Sequence, residues 1–136
     1  MSNQRGTLAR QRERFALAQV KSWDRSWAKD AMTWAQSLPI QIRTQGLSQT
    51  VAWLLRVDTA EAVALAQLLA EWLLKESRAL RPLGEAEQPS GRLLLERCIQ
   101  ADRVAYLAAQ AEALAVLEPV KLLARVFYDE DNAYAG

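Results

Sequence analysis

Residues 37–55 read SLPIQIRTQGLSQTVAWLL, and the punctuation of this stretch decides the fold. Pro39 stands near the start of a short helical piece, 40–45, and Gly46 stands just past its end. Proline in a first helical turn costs nothing, because its missing N–H has no intrahelical partner there. Glycine takes the left-handed conformation at a helix C-terminus without steric penalty. Ser48 is then placed to cap a second helix, whose apolar Val51, Leu54 and Leu55 recur at helical spacing. The reading is helix, glycine stop, helix, with Arg43, Gln45 and Gln49 beside the turn.

On the N-terminal side, residues 1–6 are expected to be a flexible tail, and residues 7–36 contain neither glycine nor proline. Thr7 is a plausible N-cap. Val20, Trp23, Trp27, Ala31 and Trp34 recur at helical spacing, and Leu38 continues the stripe. Unbroken, this long N-terminal helix would run about 45 Å at ~1.5 Å per residue. The helix is expected to be long, with a break near Ser22–Ser26 as the alternative.

The other face of that helix carries charge. At about 100° per residue, Arg10, Arg14, Lys21, Arg25 and Lys29 fall in one sector of about 100°, with Glu13, Asp24 and Asp30 pointing elsewhere. Lys21, Arg25 and Lys29 are successive i,i+4 like charges, which repel by a few tenths of a kcal/mol each. A row of cations about 6 Å apart along a rod can follow a phosphate backbone; an ordinary solvated face is the competing explanation.

On the C-terminal side, Asp58 with Glu61 reads as a capping-box start. Ala62, Leu65, Leu69 and Trp72 form the buried stripe of a helix to about Ser77. Residues 79–91, ALRPLGEAEQPSG, hold two prolines and two glycines and read as an exposed loop. Ser90 caps a helix to about Leu117, on which Leu95, Ile99, Tyr106, Ala109 and Ala113 share a face. Pro119 marks a kink or restart, and a last helix, 120–128, buries Val120, Leu123 and Phe127 before an acidic tail, 129–136. No segment alternates with period two. The expected fold is all-α: one domain, 1–136, a single compact bundle of five to six helices.

The chain has 136 residues, 51% of them hydrophobic, enough for one core. Its net charge of +1 hides an asymmetry: residues 1–56 carry nine Lys or Arg against three acids, and residues 57–136 carry eight against thirteen. A basic half and an acidic half suit an anionic partner or head-to-tail self-association. The single cysteine, Cys98, rules out an internal disulfide and suits a reducing cytoplasm. No run approaches the ~20 apolar residues of a membrane span. The N-terminus lacks an apolar signal core and reads as mature protein. No membrane partner is expected, because the three Trp of the first helix's apolar face suit a bundle core.

No catalytic, cofactor or metal constellation is legible. The chain has no histidine, so the commonest general base and metal ligand is missing, and Cys98 has no histidine to activate it. The five glycines form no phosphate-cradling loop. Asp129, Glu130 and Asp131 read as a solvated tail rather than a cation site. Trp23, Trp27 and Trp34 lie on the apolar face and belong to the core. Trp53 lies off the Val51–Leu54–Leu55 stripe and is the tryptophan best placed to meet a partner.

The central stretch resembles a known family. The pattern L-P-x-x-I-x-x-x-G-L-x-x-T-x-A-W, formed by Leu38, Pro39, Ile42, Gly46, Leu47, Thr50, Ala52 and Trp53, is similar to the signature of the small all-helical subunit of type III-B (Cmr) CRISPR effector complexes. Most of the chain follows the same order, with Glu71-Trp72-Leu73 in the following helix and an Ala- and Leu-rich end. The resemblance implies a non-catalytic subunit of an antiviral ribonucleoprotein. Copies would stack in a short filament beside the other subunits and help hold guide RNA and target RNA through the backbone. The family brings no fixed catalytic set. The RNA-binding candidates are therefore the basic row, Arg10, Arg14, Lys21, Arg25 and Lys29, with Arg43 beside the turn. Base-specific reading is not expected, because guide pairing supplies sequence. The alternative is a helical adaptor or self-assembling scaffold whose basic face meets an acidic protein.

Overall fold

The first expected cap is present. In a computed structural model describing residues 7–129, Thr7 Oγ1 accepts a hydrogen bond from Arg10 N at 3.2 Å and opens helix α1 (Leu8–Lys21). The expected tail, 1–6, and the acidic tail beyond Asp129 lie outside the described residues.

The break falls where two small polar residues compete with the helix backbone. Ser22 Oγ donates to Gln19 O at 2.6 Å, and Asp24 Oδ1 accepts from Ser26 N at 2.8 Å. Asp24 is thereby the N-cap of α2 (Arg25–Gln45). Tryptophan anchors this corner: Trp23 is buried and stacks on Tyr128 at 5.9 Å, while Tyr128 Oη donates to Val20 O at 2.7 Å.

Helix α2 does not stop before Pro39. The proline is an interior, buried residue of α2, not the first turn of a separate piece. A proline inside a helix removes one backbone bond. Leu38 and Ile42 on either side are fully buried, and this packing holds the helix through it. Pro119 is likewise interior to the last helix and neither breaks nor restarts it.

Gly46 ends α2, with its N–H bonded to Ile42 O at 2.8 Å and φ at +93°. It also begins α3 (Leu47–Val57), so Ser48 is not the cap. The free N–H groups of α3 are met from across the fold instead. Gln110 Oε1 accepts from Leu47 N at 2.9 Å, and Tyr106 Oη accepts from Ser48 N at 3.0 Å. A Cβ on Gly46 would lie 2.9 Å from that Tyr106 hydroxyl, so the turn needs glycine for space as well as for φ.

The capping-box reading of Asp58 is also replaced. Asp58 takes the left-handed conformation (φ 58°) and closes α3, a conformation aspartate tolerates better than most residues. Thr59 precedes α4 (Ala60–Ala70), which runs into a π-helical segment, Glu71–Glu76, ending where Ser77 N and Oγ both donate to Trp72 O at 2.7 and 2.8 Å. Ala62, Leu65, Leu69 and Trp72 are buried, as their spacing predicts.

After the loop, Ser90 Oγ accepts from Leu93 N at 3.1 Å and caps α5 (Gly91–Gln100). The single helix expected from Ser90 to Leu117 is two. Ala101 is extended, and Asp102 Oδ1 accepts from Ala105 N at 2.8 Å to start α6 (Arg103–Tyr128). The break resets the helical phase, so Ile99 is 71% exposed while Ala109 and Ala113 are buried. Phe127, expected inside, is exposed, and Tyr128 packs against the core in its place.

The described chain is thus six α-helices, with no strand among the described residues. Helix α6 is the spine: α1 and α2 pack along it, α2 also meets α4, and α3 closes against α4 and α5. Leu38, Ile42, Leu47, Leu54, Leu65, Leu69, Leu73, Leu94 and Leu117 are among the fully buried side chains at the centre. The two halves of the sequence are interleaved in space. The basic and acidic halves are therefore not two separate bodies.

Candidate nucleic-acid interface

Two arginines on α1 have opposite fates. Arg12 turns inward. Its Nε and Nη2 donate to Glu112 Oε2 and Oε1 of α6 at 2.7 and 2.9 Å, a bidentate pair. Trp72 Nε1 donates to the same Oε2 at 2.8 Å, and Phe15 covers Trp72 at 4.9 Å. Burial alone would push the Glu112 carboxyl up. The bonds from Arg12 and Trp72 outweigh it and hold Glu112 below the usual carboxylate range. This network joins α1, the π-helical segment and α6. Its members are 100 and 40 residues apart, and no local spacing announces it.

The other cations of the N-terminal half face outward. Arg10, Arg14 and Lys21 are exposed on α1, Arg25 and Lys29 are exposed on α2, and Arg43 is exposed in the last turn of α2. The expectation of one acid-free row needs two corrections. The break at 22–24 interrupts the helical phase, so the five residues form two shorter rows, not one rod. Arg10 Nε lies 3.5 Å from Glu13 Oε1, because i,i+3 neighbours share a helix face; both side chains are more than 60% exposed. Such an exposed pair is worth little and yields readily to a phosphate. Asp24 sits between the two rows. Its hydrogen bonds from the Ser26 hydroxyl and backbone hold its carboxyl below the ordinary range.

A second inward-turned cation, this one buried, was not legible in sequence. Arg97 of α5 is 4% exposed, donating from Nη2 to Glu87 Oε1 at 2.6 Å and from Nε to Arg81 O at 3.2 Å. Glu87 also accepts from Gly84 N at 2.7 Å, and chiefly that backbone bond, with Arg97, holds its carboxyl low. Arg97 therefore pins the loop expected to be merely exposed. Cys98 beside it is buried, and desolvation pushes its thiol up to about 12, which fits a packing role.

Apolar surface remains along α1 and α6. Leu17, Pro119, Leu122 and Leu123 line an open depression of about 280 Å³ bordered by Arg10, Glu13 and Arg14. Trp27 and Trp34 are partly buried against the core, whereas Trp53 is 36% exposed. Among the described residues no three metal-ligating side chains are grouped to hold an ion, and no helix is long and apolar enough to cross a membrane.

Fold and surface together define an all-helical protein with two outward cationic rows on its first helices. The chain belongs to the family described as CRISPR-associated protein (Cas_Cmr5), whose pattern matches residues 8–127, nearly everything described above. It is by that membership a CRISPR-associated subunit of the Cmr complex type. No curated protein and no solved structure matches the chain.

Proposed function

We propose that this chain is a non-catalytic structural subunit of a Cmr-type RNA-guided antiviral effector complex in the cytoplasm. Copies of it stack in a short filament, and the cationic rows hold guide and target RNA by the phosphate backbone. The observation that carries the reading is the exposure of Arg14, Lys21, Arg25, Lys29 and Arg43 on the two N-terminal helices of a chain of this family. Backbone contact without base reading is the mode such a surface supports, since guide pairing carries the sequence information. The depression between α1 and α6 supports stacking: apolar Leu17 and Leu122 lie open beside Arg10 and Arg14. The chain's lack of histidine supports a role without catalysis.

The test is what the natively expressed, tagged protein carries through purification. Guide RNA together with several further protein subunits is expected. Protein partners with no nucleic acid, persisting at high salt, would refute the RNA role and leave the adaptor reading.

A further inference from the structure

The signature turn carries a feature that backbone contact does not use. Trp53 of α3 stacks on Trp34 of α2 with ring centroids 4.9 Å apart and planes 23° apart. The inner ring is half-buried and fixed by the core, so it holds the outer indole in one plane. Beside Trp53 lies an open depression of about 390 Å³, lined by Ile40, Gln41, Thr44, Gln45 and Trp53. Its volume is in the range of small-ligand clefts, about 300–1,000 Å³. Ile40 is 65% exposed.

The polar groups of the depression are unevenly satisfied. Thr44 Oγ1 donates to Ile40 O at 2.7 Å, and Gln45 Nε2 reaches Thr50 Oγ1 at 3.4 Å. Gln41 Oε1 is buried and has no hydrogen-bond partner. A buried acceptor without a donor is rare and costly, and it marks a place where a partner's N–H is missing. The surroundings tolerate a polyanion: between Asp30 and Asp58 the sequence has no carboxylate, and Arg43 and Arg56 are both exposed.

We infer that this depression seats one unpaired nucleobase of single-stranded RNA. The base stacks on the Trp53 indole, and a rotation of the Gln41 side chain, whose amide oxygen is closed to solvent, lets that oxygen accept from the base's ring or exocyclic N–H. Stacking on an immobilised aromatic ring tolerates any base, whereas the orphan acceptor favours a base edge that presents a donor. A protein segment would also cover Ile40 and Trp53. A flat stacked indole beside an unmet acceptor, in a depression with no acid in its lining, suits a base better than an apolar side chain. The seat lies on the α2–α3 turn and does not depend on the cationic rows being the RNA track.

The experiment titrates the full-length protein at low salt with a single-stranded RNA of about twelve nucleotides, and with an abasic strand of the same length and charge. Native protein is expected to prefer the base-bearing strand by at least about fivefold. Trp53→Ala and Gln41→Leu should each reduce that preference, and Trp53→Phe should keep most of it. Reversing Arg14, Lys21 and Arg25 to Glu should weaken both strands alike, so a failed seat and a failed cationic track give different patterns. Equal affinity for the two strands would overturn the proposal. So would an absence of measurable binding, or a Trp53→Ala protein that keeps its RNA affinity while losing a protein subunit of the complex.

Discussion

Arg12 and Arg14 are two residues apart on one helix and do opposite things. Two residues along α1 is about 200° of rotation, so one guanidinium enters the seam between α1 and α6 while the other stays on the exposed side of the helix. Arg12 forms a bidentate pair with Glu112, a carboxylate that Trp72 also holds. Arg14 lies at the edge of an open depression. A charge committed to a buried partner contributes to the fold and is unavailable to a ligand. A charge at the surface contributes little to stability and stays accessible to phosphate.

The inner pair gives the largest expected effect. Removing one partner of a part-buried ion pair strands the other, so Glu112→Ala is expected to destabilise by about 1–3 kcal/mol. Urea denaturation followed by helical circular dichroism reads it. A loss below about 0.5 kcal/mol would erase the contrast between the two arginines. The pH dependence has a definite sign. The Glu112 carboxyl is held low in the folded chain, so its contribution is full above the unfolded carboxyl value of about 4.3. It is lost as the pH falls through the lower, folded value, because the unfolded chain then binds the proton more readily. The Glu112→Ala chain should therefore show a shallower fall in stability with acid.

The next effect is at the turn. Gly46→Ala places a Cβ at φ +93° and 2.9 Å from Tyr106 Oη, the hydroxyl that satisfies Ser48 N. Backbone strain of this kind costs about 1–3 kcal/mol, and the same denaturation measurement reads it. This substitution disturbs the α2–α3 junction without touching either arginine.

These sites differ in how far the sequence revealed them. The all-α class, the Thr7 and Ser90 caps and the glycine stop at 46 all follow from local chemistry, and they are present. Pro39 reads locally as a first-turn boundary and Pro119 as a kink or restart, yet both lie inside continuous helices. Proline's local rule is a weak prior, and the buried Leu38, Ile42, Leu117 and Val120 around them outweigh one missing hydrogen bond. The break at Ala101 was hidden because the apolar spacing ran on across it, while the cap that makes it is the single Asp102. The cationic residues were legible as exposed helix positions. Their division into two rows departs from the long helix that the spacing predicts, for which a break near Ser22–Ser26 is only the alternative. The pairings Arg12–Glu112 and Arg97–Glu87, and the capping of α3 by Tyr106 and Gln110, join distant segments, and one sequence holds no local signal for them.

The outer cations should change stability least and function most. Arg14→Glu, Lys21→Glu and Arg25→Glu in one chain should leave stability within about 0.5 kcal/mol of native, since exposed helix positions tolerate such changes. The decisive measurement is RNA retention by the assembled complex carrying this triple variant, followed across a salt series. Weaker retention is expected, with a salt dependence shallower by about two, the slope that three lost single-strand phosphate contacts remove. Retention equal to native at every salt concentration would contradict it.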